Sequence, residues 1–175
     1  MSKLTDRLSH GEPAAFAELY DLYANRLHHF LLVQLGSPAD AEDALQEVFV
    51  RLTRARDKLA AVENLTAYLF TLARNEATRL RDRRKRQPAA LSEPNIEELF
   101  DLTDSDFAAR ELAESVRSAL LRLPSEQREI VDLKTYAGLT LAEIATVTDT
   151  PPGTVASRYR AALEKLRTWL ATALL

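Results

Sequence analysis

The chain has 175 residues, 46% hydrophobic and 28% charged, which is enough apolar material for one core or two small ones and excludes disorder throughout. It has no cysteine, which excludes disulfides and thiolate chemistry, and its three histidines (His10, His28, His29) offer no metal-ligand spacing with carboxylates on one helical face, so no metal and no cofactor is expected. The formal net charge of −3 argues against a protein that coats nucleic acid unaided, but it hides two opposite neighbours: RNEATRLRDRRKR over 74–86 is strongly basic, and the charges of EPNIEELFDLTDSD over 93–106 are all acidic.

Apolar residues recur at helical spacing with no sustained alternation of strand type, so an all-α chain is expected. No apolar run approaches the roughly 20 residues that span a bilayer, and the opening MSKLTDRLSHGEP lacks the apolar centre of a signal peptide; a cytoplasmic protein without membrane insertion is expected. A first long helix begins near Glu12 and Pro13, with Phe16, Leu19, Tyr20, Tyr23, Leu27, Phe30 and Leu31 along one face. Gly36 ends it, Ser37 caps the next helix and Pro38 fits that helix's first turn, where its missing N–H would have no partner anyway. This second helix, about 38–54, buries Ala41, Ala44, Leu45, Val48, Phe49 and Leu52 and turns Asp40, Glu42, Asp43, Gln46 and Glu47 outward. Asn64 caps a third helix that continues through Leu65, Leu69, Leu72, Ala73 and Leu80 until the arginine run and Pro88 end it.

Periodicity weakens after residue 86, where prolines and acids take over, which reads as an acidic flexible linker over 87–105 with at most a helical turn at 96–100. The chain thus divides into a domain over 1–86, the linker, and a domain over 106–175. In the last of these, Leu112, Val116, Ala119, Leu120 and Leu123 define a helix, Pro124 breaks it, Ser125 caps the next, and Gly138 closes that one. Thr140 and Glu143 form a capping box for a short helix over 141–147. A turn at TDT leads to Pro151 in the first turn of a final helix that runs to about 173. A short capped helix, a brief turn and a longer helix is a helix-turn-helix pattern, in which small residues (Gly153, Thr154, Ala156, Ser157) allow close approach to the major groove and Arg158 and Arg160 reach phosphates or base edges.

Seven basic residues between 74 and 86 (Arg74, Arg79, Arg81, Arg83, Arg84, Lys85, Arg86) exceed what a helix C-terminus needs, so a polyanion is the expected partner. Tyr68 lies upstream, where an aromatic ring beside a cationic groove suits stacking on unpaired bases; Phe70 fits core and stacking equally. The acidic flank of the second helix reads, from physics alone, as a solvated face.

The segments AFAELYDLYANRLHHFLL, SPADAEDALQEVFVRLTRA, LFTLARNEATRLRDRRKR and LRLPSEQREIVDLKTYAGLTLAEIA…GTVASRYRAALEKLR resemble, in this order, the two modules of extracytoplasmic-function sigma factors, compact bacterial transcription initiation factors. The resemblance covers almost the whole chain. It implies that Asp40, Asp43, Gln46 and Glu47 dock on core RNA polymerase. It implies that the stretch from Lys58 to Asn64 captures a flipped base of the minus-10 element, and that Tyr68, Arg74, Asn75, Arg79 and Arg83 face melted non-template DNA. It also implies that Thr154, Ala156, Ser157, Arg158 and Arg160 lie on the recognition helix for the minus-35 element. Three features depart from the family pattern: Tyr68 stands where many relatives have Trp, Ala156 where they often have a basic residue, and TDTPPGTV replaces a glycine-containing turn.

A sigma factor that binds core RNA polymerase and promoter DNA, both duplex and melted, is therefore expected, with an anti-sigma factor as a partner common in that family. The alternative is a polymerase-independent helix-turn-helix regulator that dimerises through its N-terminal helices and binds a palindromic site. With no Gly-rich phosphate loop, no cysteine, no clustered histidines and no pair of catalytic carboxylates, no catalytic residue is assigned and an enzyme is not expected.

Overall fold

The computed structural model describes residues 4–86 and 107–173, in which all regular structure is helical. The helices divide into two compact units. The linker assigned to 87–105, with its turn at 96–100, lies outside the described residues. No helix among those described is long and apolar enough to cross a membrane.

The first unit contains α1 (Leu4–Ser9), α2 (Pro13–Leu35), α3 (Pro38–Arg54), a 3₁₀ helix (Arg56–Ala61) and α4 (Leu65–Arg86). Helices α2, α3 and α4 pack on one another in all three pairings. Leu19, Leu27, Phe30 and Leu31 of α2, Ala41, Ala44, Val48 and Leu52 of α3, and Leu69, Phe70 and Ala73 of α4 are buried. Phe70 belongs to this core: its ring meets Phe30 edge to face, centroids 5.6 Å apart, a geometry worth about 0.5–1.5 kcal/mol beyond area burial. Tyr20, expected on the buried face, is half exposed and tilts over the partly buried Phe49, centroids 5.1 Å apart.

The expected signals set the helix ends. Gly36 takes a left-handed conformation (φ 66) and donates its N–H to Leu32 O, Ser37 Oγ accepts from Asp40 N, and Asn64 Oδ1 accepts from Ala67 N at 2.9 Å. Helix α1 was not foreseen. It carries a single fully buried residue, Leu8, packs on the 3₁₀ helix, and is followed by Gly11 at φ 73.

The second unit contains α5 (Phe107–Arg122), α6 (Ser125–Thr135), most of α7 (Leu141–Thr148) and α8 (Pro152–Ala173). Both α5 and α6 pack on α8 around Leu123, Val131 and Ala162, with Leu120, Tyr159, Leu166 and Trp169 partly buried at the margin. Arg122 lies over the Trp169 ring, 4.4 Å from its centroid.

The Thr140–Glu143 capping box forms reciprocally: Thr140 N donates to Glu143 Oε2 at 2.6 Å, and Glu143 N donates to Thr140 Oγ1 at 3.2 Å. Ser125, expected to cap α6, is instead its first residue; Pro124 stands at the N-cap and no side chain caps there. The turn between α7 and α8 needs no glycine because Asp149 adopts φ 50, a region Asp tolerates, and Thr150 N donates to Ala145 O at 3.0 Å. Helix α8 opens one residue later than expected: Pro152 is its first residue, and Pro151 supplies the carbonyl that accepts from Thr154 N and Val155 N.

Candidate nucleic-acid interface

On α3 the polar flank separates into an outward set of three and an edge pair. Burial of Ala41, Ala44, Leu45, Val48 and Leu52 turns Glu42, Asp43 and Gln46 fully outward. Asp40 and Glu47 are only partly exposed and stand at the edges of this face, where it borders the buried stripe. Asp40 is in contact with the Arg84 guanidinium of α4, and Glu47 accepts from Arg51 Nε at 2.9 Å. Their expected fully outward placement is corrected accordingly.

Arg51 also reaches Glu76 of α4, Nη2 to Oε2 at 3.0 Å, and Arg79 donates to the same carboxylate through Nε, 2.9 Å from Oε1, and through Nη2. Glu76 is 1% exposed. Glu47, Arg51, Glu76 and Arg79 thus form a chain of alternating charge that ties α3 to α4 and sums to zero. The carboxylate raises the pKa of the Arg79 guanidinium, mainly through the hydrogen bond.

On α4, Tyr68, Leu72, Asn75, Arg79, Arg83 and Arg86 follow one another at helical spacing along the side away from Phe70, Ala73 and Ala77. Tyr68 is partly buried; Asn75, Arg79, Arg83 and Arg86 are exposed. Arg74 lies about 120° round the helix from Tyr68 and Arg86 and is partly buried. Arg81 and Arg84 point the other way: Arg81 Nη1 donates to Gln34 Oε1 at 3.1 Å, and Arg84 Nη1 to Leu35 O at 3.4 Å. Of the seven basic residues, then, Arg74 is partly buried, Arg79, Arg81 and Arg84 fasten α4 to itself and its neighbours, and Arg83, Lys85 and Arg86 have no ion-pair partner among the described residues. Ahead of α4, Lys58 is exposed on the 3₁₀ helix, and Asn64 has its side-chain oxygen committed to the cap.

On α8, burial of Val155 and Ala162 places Gly153, Ser157, Arg160 and Glu164 together on the exposed face, with Thr154 and Ala156 on its flanks. A methyl group added at Gly153 would meet nothing within 4 Å, so the first turn is open to close approach. Arg160 lies along its own helix, Nε 3.4 Å from Ala156 O. Arg158 is not beside Arg160. Two residues of helix separate them by about 200°, which puts Arg158 on the side of Ala162, where its Nη2 pairs with Glu126 of α6 at 2.8 Å. The expectation that Arg158 and Arg160 share one DNA-facing surface is corrected by this rotation.

Sequence reasoning missed Glu76, Glu126 and Glu164. Glu76 could have been found, because an acid at an inward helical position between Ala73 and Ala77 requires a buried partner. Glu164 could have been found from its spacing four residues beyond Arg160. Glu126 could not, since its partner is set by how α6 crosses α8.

Residues 19–87 match the model of Sigma-70 region 2 and residues 113–166 that of Sigma-70 region 4. The chain is 30% identical over 165 residues to the ECF RNA polymerase sigma factor RpoE of Cereibacter sphaeroides, covering 90% of this chain and 87% of that protein. It is 26% identical over 180 residues to the ECF RNA polymerase sigma factor SigW of Bacillus subtilis, covering 95% of each. Among solved structures, RpoE of Bartonella quintana, determined in complex with the anti-sigma factor NepR, superposes with a TM-score of 0.64 at 25% identity, covering 89% of this chain and 96% of that one. CnrH, solved with the cytosolic domain of CnrY, shares the fold with a TM-score of 0.70 at 23% identity over 97% of this chain and 96% of that one.

Proposed function

Because the chain belongs to the extracytoplasmic-function sigma factors, which bind core RNA polymerase and direct promoter-specific initiation, we propose that its two units divide this work between three helix faces. The outward face of α3, with Asp43 and Gln46 at its centre and Asp40 and Glu47 at its edges, docks on the polymerase. The stripe of α4, Tyr68, Asn75, Arg79, Arg83 and Arg86 with Arg74 beside it, faces melted minus-10 DNA, and the segment from Lys58 to Asn64 captures an unpaired base. The open face of α8, Thr154, Ala156, Ser157 and Arg160, enters the major groove of the minus-35 element, and Arg158 braces α8 against α6.

The observation that carries this reading is the α4 stripe, on which a partly buried aromatic ring is followed at helical spacing by an exposed amide and exposed cations. Unpaired bases are bound by such a combination of stacking and phosphate attraction. A modest net charge is consistent with it, because the polymerase shares the task of holding DNA. Members of the family are regulators rather than enzymes, and we read this chain likewise. On its likeness to RpoE of Bartonella quintana we also read an anti-sigma factor as a partner, and we place its work in the cytoplasm. The helix-turn-helix regulator that would act without polymerase is not favoured, since the N-terminal helices it would use to dimerise match Sigma-70 region 2.

Pull-down with purified core polymerase tests the docking face. Asp43→Lys combined with Gln46→Lys should weaken capture at least tenfold while leaving the helical content intact, because both side chains are exposed and hold nothing in the fold. Full capture by the folded double variant would remove α3 from the interface.

A further inference from the structure

The short helix α1 lies ahead of the residues matched to Sigma-70 region 2, and the roles proposed above leave it without one. It packs on the 3₁₀ helix that carries Lys58. Each of these two elements contributes one fully buried leucine, Leu8 from α1 and Leu59 from the 3₁₀ helix. A 3₁₀ segment of six residues has poor hydrogen-bond geometry and little rigidity of its own, so its position is set by what it packs against.

Two further contacts fix α1. Gly11, at φ 73, donates its N–H to Leu8 O at 2.9 Å, and a Cβ built on it would stand 2.8 Å from Arg56 Nη1, so the guanidinium end of the first 3₁₀ residue's side chain lies over this glycine. On the other side, Arg7 donates to Glu12 at 3.0 Å and to Glu18 at 2.6 Å, which ties α1 to the start of α2. Helix α1 is thus held between α2 and the 3₁₀ helix.

We infer that α1 is a positioning brace for minus-10 base capture: Leu8, Gly11 and Arg7 hold the 3₁₀ helix so that Lys58 and the residues after it present a fixed surface to the unpaired base. The inference rests on the reading of the Lys58 to Asn64 segment as the base-capturing stretch. Leu8 and Arg7 are positioning residues that touch no DNA. Their effect is on selectivity, because a displaced capture surface lowers the difference between the right base and a wrong one.

The experiment uses complete holoenzyme and measures open-complex formation on promoters that differ at single minus-10 positions, with core-polymerase affinity and minus-35 preference measured alongside. Leu8→Ala should reduce minus-10 base preference roughly tenfold with the other two quantities unchanged, and Leu8→Met, which keeps the volume, should restore it. Arg7→Ala, which leaves no core cavity and so keeps the unit folded, should reduce the preference about threefold. If Lys58→Ala abolishes the preference while Leu8→Ala and Arg7→Ala retain it in full, the brace is refuted and base capture stands. If Lys58→Ala leaves the preference intact, base capture itself is refuted and the brace falls with it. A loss of selectivity in Leu8→Ala matched by an equal loss of polymerase affinity also refutes the brace, since α1 would then serve only to keep the unit folded.

Discussion

Helices α4 and α8 are both 22 residues long and both present arginines, yet each loses one to a glutamate, and the two losses differ in kind. Arg79 is held by Glu76, a carboxylate that is 1% exposed and shared with Arg51. Arg158 is held by Glu126, whose side chain is 64% exposed. A buried carboxylate without cations would be costly, so Glu76 and its arginines are part of the fold, whereas an exposed pair contributes little and can exchange for another partner. The cations left for phosphates also differ: α4 keeps Arg83, Lys85 and Arg86 on its last turns, while the open face of α8 has Arg160 followed by Glu164. Attraction to DNA should therefore come mainly from α4, and discrimination of duplex sequence from the small, close-fitting start of α8.

The sharpest break in this comparison is removal of the two glutamates. Glu76→Ala should destabilise the first unit by roughly 2–4 kcal/mol, since it leaves Arg51 and Arg79 facing each other without their shared anion, whereas Glu126→Ala should cost the second unit less than about 1 kcal/mol. Urea unfolding followed separately for each unit gives both numbers. Equal costs would mean that burial does not distinguish the two pairs.

Next in size is the contrast within α8. Arg160→Ala should weaken minus-35 duplex binding by roughly 1–3 kcal/mol, and Arg158→Ala should leave base preference unchanged while loosening α8 from α6. Binding to duplexes substituted position by position reads this out. A base preference that follows Arg158 would mean the Glu126 pair opens on DNA.

Within α4, Arg83→Ala with Arg86→Ala should lower the slope of log affinity against log salt by about 1.4, near 0.7 for each single-strand phosphate contact. Arg84→Ala should lower the slope less and stability more, because Arg84 is in contact with Asp40 and donates to Leu35 O. The titration is run with holoenzyme on promoter DNA.

The smallest effect concerns α1. Arg7 lowers the Glu12 pKa in the folded protein below its ordinary value of 4.5. The tie is therefore fully present above the unfolded value and is lost as pH falls through the folded one, so the hydrogen-exchange protection of residues 4–12, taken relative to the intrinsic rate at each pH, should hold above pH 4.5 and fall on further acidification.

Much of this fold can be read from the sequence because its boundaries are written locally. Gly36, Ser37 and Pro38 mark one junction, Asn64 another, and Thr140 with Glu143 a third. Helix α1 escaped because six residues with Leu4 and Leu8 as their apolar positions are too short to show a period. The kinds of residue at the candidate interface were legible too, as a basic run, an acidic flank and small residues opening the last helix. Which arginines remain available was not legible, because that depends on partners distant in sequence: Arg81 meets Gln34, 47 residues away, and Arg158 meets a residue on another helix. The rotation of Arg158 away from Arg160 could have been derived from helical period alone, since Val155 and Ala162 define the buried side.

The division of labour among the faces of α3, α4 and α8 meets its most direct test in transcription. Core polymerase given this chain and genomic fragments should produce transcripts with discrete 5′ ends, each preceded by two elements at one fixed spacing, and neither core nor chain alone should do so. Products no greater than those of core alone, with the free chain instead binding a palindromic duplex as a dimer, would contradict it.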